Sequence, residues 1–181
     1  SIVNVPVVPT TPGSGTTYHA YIPENFTWLT NSSPDWVNFP PVFVCANTPL
    51  VFDHSATDPD GDSLVYSLYR PFEDDAYTWT PGTPATPNFI PTAYNPGYSF
   101  LSPLQPSAPA QTMFINPNTG ILTVTPTILG QFVVGVRVQE FRNGQLLSTV
   151  YRDFQFNVLN CPPPALAGIG PVNACNGTTI Q

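Results

Sequence analysis

Asp58-Pro59-Asp60-Gly61-Asp62 sets three carboxylates at alternating positions in a chain of which only 8% of residues are charged. Like charges this close repel unless a cation sits among them. Alternating hard oxygen ligands suit Ca²⁺, which takes about six to eight oxygens. The loop is not an EF-hand, because it lacks the Gly at the sixth position and the Glu at the twelfth. The competing reading is an Asp/Gly-rich turn whose side chains cap their own backbone.

Other residues are weighed the same way. Glu73-Asp74-Asp75 is a second acidic run, read as a solvated loop tip or a second metal site. Tyr77 and Trp79, with Tyr94, Tyr98 and Phe100, could stack on sugar rings. The alternative is that they pack a long loop onto the body of the fold. Asp53-His54-Ser55 holds the residue types of a serine hydrolase, but neighbours on a strand point to opposite faces and cannot converge. His19 joins no recognisable triad. No pair of carboxylates is marked for glycosidic work, so the chain is read as not an enzyme. Arg137 and Arg152 lie on neighbouring strands and are expected to pair with Asp153 or Glu140 across the sheet. Asn25, Asn31 and Asn176 open N-glycosylation patterns, and Asp62-Ser63-Leu64 resembles a short O-glycosylation motif.

The elements that carry these residues are short and β-rich. The 181 residues include 24 prolines and 12 glycines, against long helices and for strands joined by turns. Val42–Ala46, Pro49–His54, Leu64–Tyr69, Met113–Ile115 and Ile121–Thr125 read as strands. Gln131–Glu140 alternates, with Phe132, Val134, Val136 and Val138 on one face. Leu146–Leu159 alternates in return, and Asn143-Gly144 between them signals a tight hairpin. Asn116-Pro117-Asn118-Thr119-Gly120 is a turn. Residues 71–112, with nine prolines, are too long for an ordinary connection. The expected architecture is an all-β sandwich with a long Pro-rich insertion. Residues 1–38 read as a hairpin and linker ending a preceding domain. The sandwich covers 39–160, and 161–181 is a linker and the first strand of a following domain. The chain is read as a fragment, with strand edges that could pair with a neighbouring domain or subunit in a filament.

Charge narrows the partners. With four arginines, no lysine and a formal charge of −7, the chain lacks the basic patch for nucleic acid or anionic lipid. No apolar run reaches the ~18 residues that would suggest a membrane span. Cys45, Cys161 and Cys175 match no zinc spacing. Cys161–Cys175 would close a short Pro/Gly-rich loop and is the expected disulfide. Cys45 is then left unpaired, or bonded outside the chain. The lysine-free, Thr/Asn/Pro-rich composition points outside the cell.

Asp58-Pro-Asp-Gly-Asp-Ser-Leu-Val-Tyr-Ser-Leu, Ile115-Asn-Pro-Asn-Thr-Gly-Ile-Leu-Thr-Val-Thr-Pro and Gly130-Gln-Phe-Val-Val-Gly-Val-Arg-Val-Gln-Glu together resemble the cadherin-like (dystroglycan-type) Ig-fold module. The run from Pro41 to Cys161 is similar to repeats of large surface adhesins of gliding Bacteroidetes, exported by the type IX system. The resemblance implies calcium between modules, with Asp58, Asp60, Asp62 and Glu140 as ligands. It also implies that Tyr69 stands where related modules carry a cysteine that would partner Cys45. The expected function is a structural or adhesive repeat stiffened by Ca²⁺. Its partners would be neighbouring repeats or subunits, and surface glycans if Tyr77 and Trp79 form a platform.

Overall fold

The computed structural model describes residues 2–4, 20–21, 30–73, 90–107, 110–162, 172–173 and 179–180. All regular elements among the described residues are strands. They are β1 (Ala20–Tyr21), β2 (Asp35–Trp36), β3 (Phe43–Cys45), β4 (Leu50–Asp53), β5 (Ala56–Thr57), β6 (Ser63–Leu68) and β7 (Phe72–Glu73). After these come β8 (Ile90–Pro91), β9 (Phe114–Ile115), β10 (Ile121–Val124), β11 (Gly130–Arg142), β12 (Gln145–Leu159), β13 (Val172–Asn173) and β14 (Thr179–Ile180).

The hairpin β11–β12 is the spine. Its turn holds Asn143 at φ 53° and Gly144 at φ 80°. Both are left-handed, and the resulting twist matches that of the flanking strands. β6 adds to the other edge of β11, from Val136↔Leu68 to Phe141↔Ser63. β1 and β3 lie along β12, and β3 runs parallel to it, from Asn157↔Phe43 to Leu159↔Cys45. A second sheet runs β4-β10-β9. Its Asn116–Gly120 turn forms as expected: the Asn116 carboxamide accepts from the Asn118 and Thr119 amides, and Gly120 takes φ 72°.

One core draws on both sheets. Leu122 and Val124 of β10 meet Phe132, Val134 and Val136 of β11 and Phe156 and Val158 of β12. The period-2 pattern of β11 is therefore a true core face. Residues between Tyr98 and Met113 contribute to this core as well. Leu104 and Met113 are fully buried, and Tyr98, Phe100 and Leu101 pack against them. For Tyr98 and Phe100 the packing role therefore holds.

Two expectations change. Cys161 is bonded to Cys45, with Cα atoms 5.3 Å apart, and not to Cys175. The parallel pairing of β3 on β12 delivers Cys45 to the residues just after β12, within reach of a disulfide. Most of the expected N-terminal hairpin lies outside the described residues, and its described parts sit apart, for Ile2 bridges to Gln131 of β11 whereas Ala20–Tyr21 pairs with β12. Each piece takes an open edge of the large sheet, which satisfies more backbone groups than a lone hairpin could.

Candidate functional site

The Asp58–Asp62 loop joins β5 to β6 and is shaped by one carboxylate. Asp58 Oδ1 accepts the Asp60 amide at 3.0 Å and the Asp62 amide at 2.9 Å, while Gly61 turns the chain at φ 78°. The expected backbone capping is therefore present. It uses only one Asp58 oxygen, because Oδ2 is buried with no hydrogen-bond partner.

Glu140 continues the Phe132–Val138 ladder of β11, so alternation turns it inward, and it is 0% exposed. Its Oε2 accepts from Asn31 Nδ2 at 3.0 Å and from Ser148 Oγ at 2.5 Å. Its Oε1 is buried and unpartnered. Oxygens of Asp58, Asp62 and Glu140 lie within 4.8 Å of one another. The β11–β12 register shifts between Glu140 and Phe141, and such irregularities re-aim side chains.

Arg142 stands two residues beyond Glu140, on the same side of the strand. Its Nε donates to Asp62 Oδ1 at 2.7 Å and its Nη2 to Asp62 Oδ2 at 2.5 Å. Nη1 reaches the Thr30 carbonyl and Nη2 the Asn31 carboxamide, each at 3.2 Å. Hydrogen bonds from Arg142 hold the Asp62 carboxyl below its usual range. Burial pushes the Glu140 carboxyl up, and the neighbouring Asp62 carboxylate adds to the rise.

Asp60, the fourth acid that the cadherin-like resemblance implies, sits apart from the other three. Its Oδ2 accepts the Ser32 amide at 2.6 Å and lies 4.0 Å from Arg142. It tethers the incoming chain and lies outside the Asp58/Asp62/Glu140 cluster. Asp53 caps the Ser55 amide locally. The site that results is three carboxylates facing one another, a guanidinium on one of them, and residues 30–32 tied to its rim.

Arg142 is the residue of this candidate site that the sequence pattern did not mark. It follows Glu140 by two, and the β6–β11 register, continued one step past Phe141↔Ser63, puts it opposite Asp62. The other arginines are engaged elsewhere. Arg137 Nε donates to Ser67 Oγ at 2.8 Å. Arg152 lies 4.3 Å over the Trp36 ring and donates to the Asn38 carbonyl. The expected pairing of these two with Asp153 or Glu140 is replaced by these contacts. His54 is buried among Trp36, Phe52 and Phe154, and neither ring nitrogen has a hydrogen-bond partner. The side chains of Glu73, Asp74, Asp75, Tyr77, Trp79, His19, Asn25, Cys175 and Asn176 lie outside the described residues.

Comparison with protein families, curated proteins and solved structures finds no match for this chain.

Proposed function

We propose that the chain is a non-catalytic, Ig-like β-sandwich module of the cadherin-like kind from an extracellular surface protein. In it, Asp58, Asp62 and Glu140 take up Ca²⁺. The ion stiffens the junction where residues 30–32 meet the sheet. The sandwich reading is supported by two sheets that share one core. The observation that carries the calcium reading is Glu140: it is wholly buried, yet its Oε1 faces other carboxylates with no donor. Buried charge without a partner is costly, and Arg142 brings one positive charge to the three acids gathered here. A hard divalent ion supplies what the cluster lacks, with carbonyls and water completing its shell. Affinities of extracellular modules run at about 10⁻⁴–10⁻³ M.

The test is thermal melting of the wild-type chain and of Glu140→Gln, each with millimolar Ca²⁺ and with chelator. Calcium should raise the wild-type melting temperature and leave the variant unmoved. An unmoved wild type would discard the calcium reading. The cluster would then be a carboxyl pair sharing a proton, as the shifts of Asp62 and Glu140 already allow.

A further inference from the structure

The segment Ile2–Asn4 occupies a slot on the large sheet. β12 fills one edge of β11 throughout, and β6 fills the other only as far as Leu68, with Tyr69 N donating to the Gly135 carbonyl. Beyond that point the edge at Gln131–Val133 is taken by residues 2–4. Val3 N donates to the Gln131 carbonyl at 2.8 Å. Asn4 is 0% exposed. Its side chain imitates a backbone unit, accepting from Val133 N at 3.0 Å and donating to the Val133 carbonyl at 2.7 Å. Asn95 closes the outer side, with its Nδ2 on the Val3 carbonyl and its amide on the Asn4 carbonyl.

The slot is shaped for this segment. Gly130 sits at φ 136°, and a Cβ there would come within 2.5 Å of Val3 Cγ2. A larger residue would close the place where Val3 lies. The slot reads one apolar residue followed by one asparagine, by shape and by a two-way hydrogen bond. Fifteen residues, including Pro6, Pro9, Pro12, Gly13 and Gly15, separate Asn4 from β1. A tether of that length can reach about 50 Å when extended.

We propose that Ile2–Asn4 is an exchangeable strand, and that the Gln131–Val133 edge accepts the same segment from a second copy of this chain. Exchange preserves every bond of the cis arrangement, so no new complementarity is required. The tethered copy competes at an effective concentration on the order of millimolar, which keeps the exchange dependent on concentration. Reciprocal exchange gives a dimer, and head-to-tail exchange gives an open chain. The inference stands apart from calcium, and its test is run in chelator so that the two readings fail separately.

The probe is a fluorescein-labelled peptide, Ser-Ile-Val-Asn-Val-Pro-Val-Val, beside a control with alanine for the asparagine. The acceptor is the full chain carrying Asn4→Ala, whose own strand is weakened. Anisotropy should show saturable binding of the native peptide and binding about tenfold weaker or worse for the control, since two buried hydrogen bonds are lost. Light scattering on the wild-type chain should show a dimer or longer species after concentrated refolding. That species should be suppressed by excess native peptide and not by the control. An Asn4→Ala chain that keeps its β-type circular dichroism yet ignores the peptide overturns the proposal. If that variant does not fold, the wild type decides: a product that is monomeric, or insensitive to the peptide, overturns it as well.

Discussion

Arg142 and Asp62 form a two-pronged ion pair, with Nε on Oδ1 at 2.7 Å and Nη2 on Oδ2 at 2.5 Å. The guanidinium fork matches the carboxylate plane, so charge and geometry act together. The same guanidinium bonds Thr30 and Asn31. One side chain thus links the acidic loop, the end of β11 and the segment leading into the sheet.

Replacing Arg142 by alanine should lower the melting temperature in chelator, because Asp62 then loses its two-pronged partner and Asp60 a nearby cation. On the calcium reading, added Ca²⁺ should raise the melting temperature by more in the variant than in the wild type. Arg142→Lys should recover less than half of the loss, since an ammonium cannot make the fork. Melting curves of the three chains, with and without calcium, check this.

The cluster should respond to pH from both sides. Glu140 is raised in the folded state, so the stability it brings is present below its unfolded value and lost as pH rises through the folded one. Asp62 is lowered, so its contribution is present above its unfolded value and lost as pH falls through the folded one. In chelator, the Glu140→Gln difference curve should therefore rise relative to wild type as pH increases. A flat difference curve would remove Glu140 from the account.

His54 is held neutral by burial first and by Arg152 second, and its pKa falls from 6.5 to about 3. Between those values the unfolded chain takes a proton that the folded chain refuses, so stability is lost as pH falls from 6.5 towards 3. His54→Phe removes this loss at an overpacking cost of about 1–3 kcal/mol. Its melting temperature relative to wild type should improve steadily on acidification.

Asp153 behaves in the opposite sense. Burial raises its pKa from 3.8 to about 7, so the stability it contributes is lost as pH rises through that interval. Asp153→Asn should flatten that alkaline limb. Melting across the neutral range reads the difference directly.

The Cys45–Cys161 bond spans 116 residues. In the chain-entropy picture a loop of this size stabilises by about 4–5 kcal/mol. Cys45→Ser and Cys161→Ser should each lower the denaturant midpoint by a similar amount, and reductant should bring the wild type to the same value. Cys175→Ser should leave the midpoint nearly unchanged.

Much of the strand pattern was legible because it is local. Period-2 alternation marks the inner face of β11, and extending it two residues past Val138 already turns Glu140 inward. Asn143-Gly144 and Asn116–Gly120 announce their turns because positive φ is a demand on single residues. The Asp58–Asp62 loop was legible as an acidic turn for the same reason.

What the residues determined by themselves is the all-strand character, the central hairpin, the Asn116–Gly120 turn and the gathering of carboxylates in one loop. Tertiary structure decided the rest. Strand register brought Arg142 to Asp62 and turned Asp60 towards Ser32. Parallel pairing of β3 chose Cys161 for Cys45, and core space drew in Leu104 and Met113. These relations join residues far apart in the chain, where local alternation and turn preference carry no information, and only the packing of two sheets around one core selects among the partners.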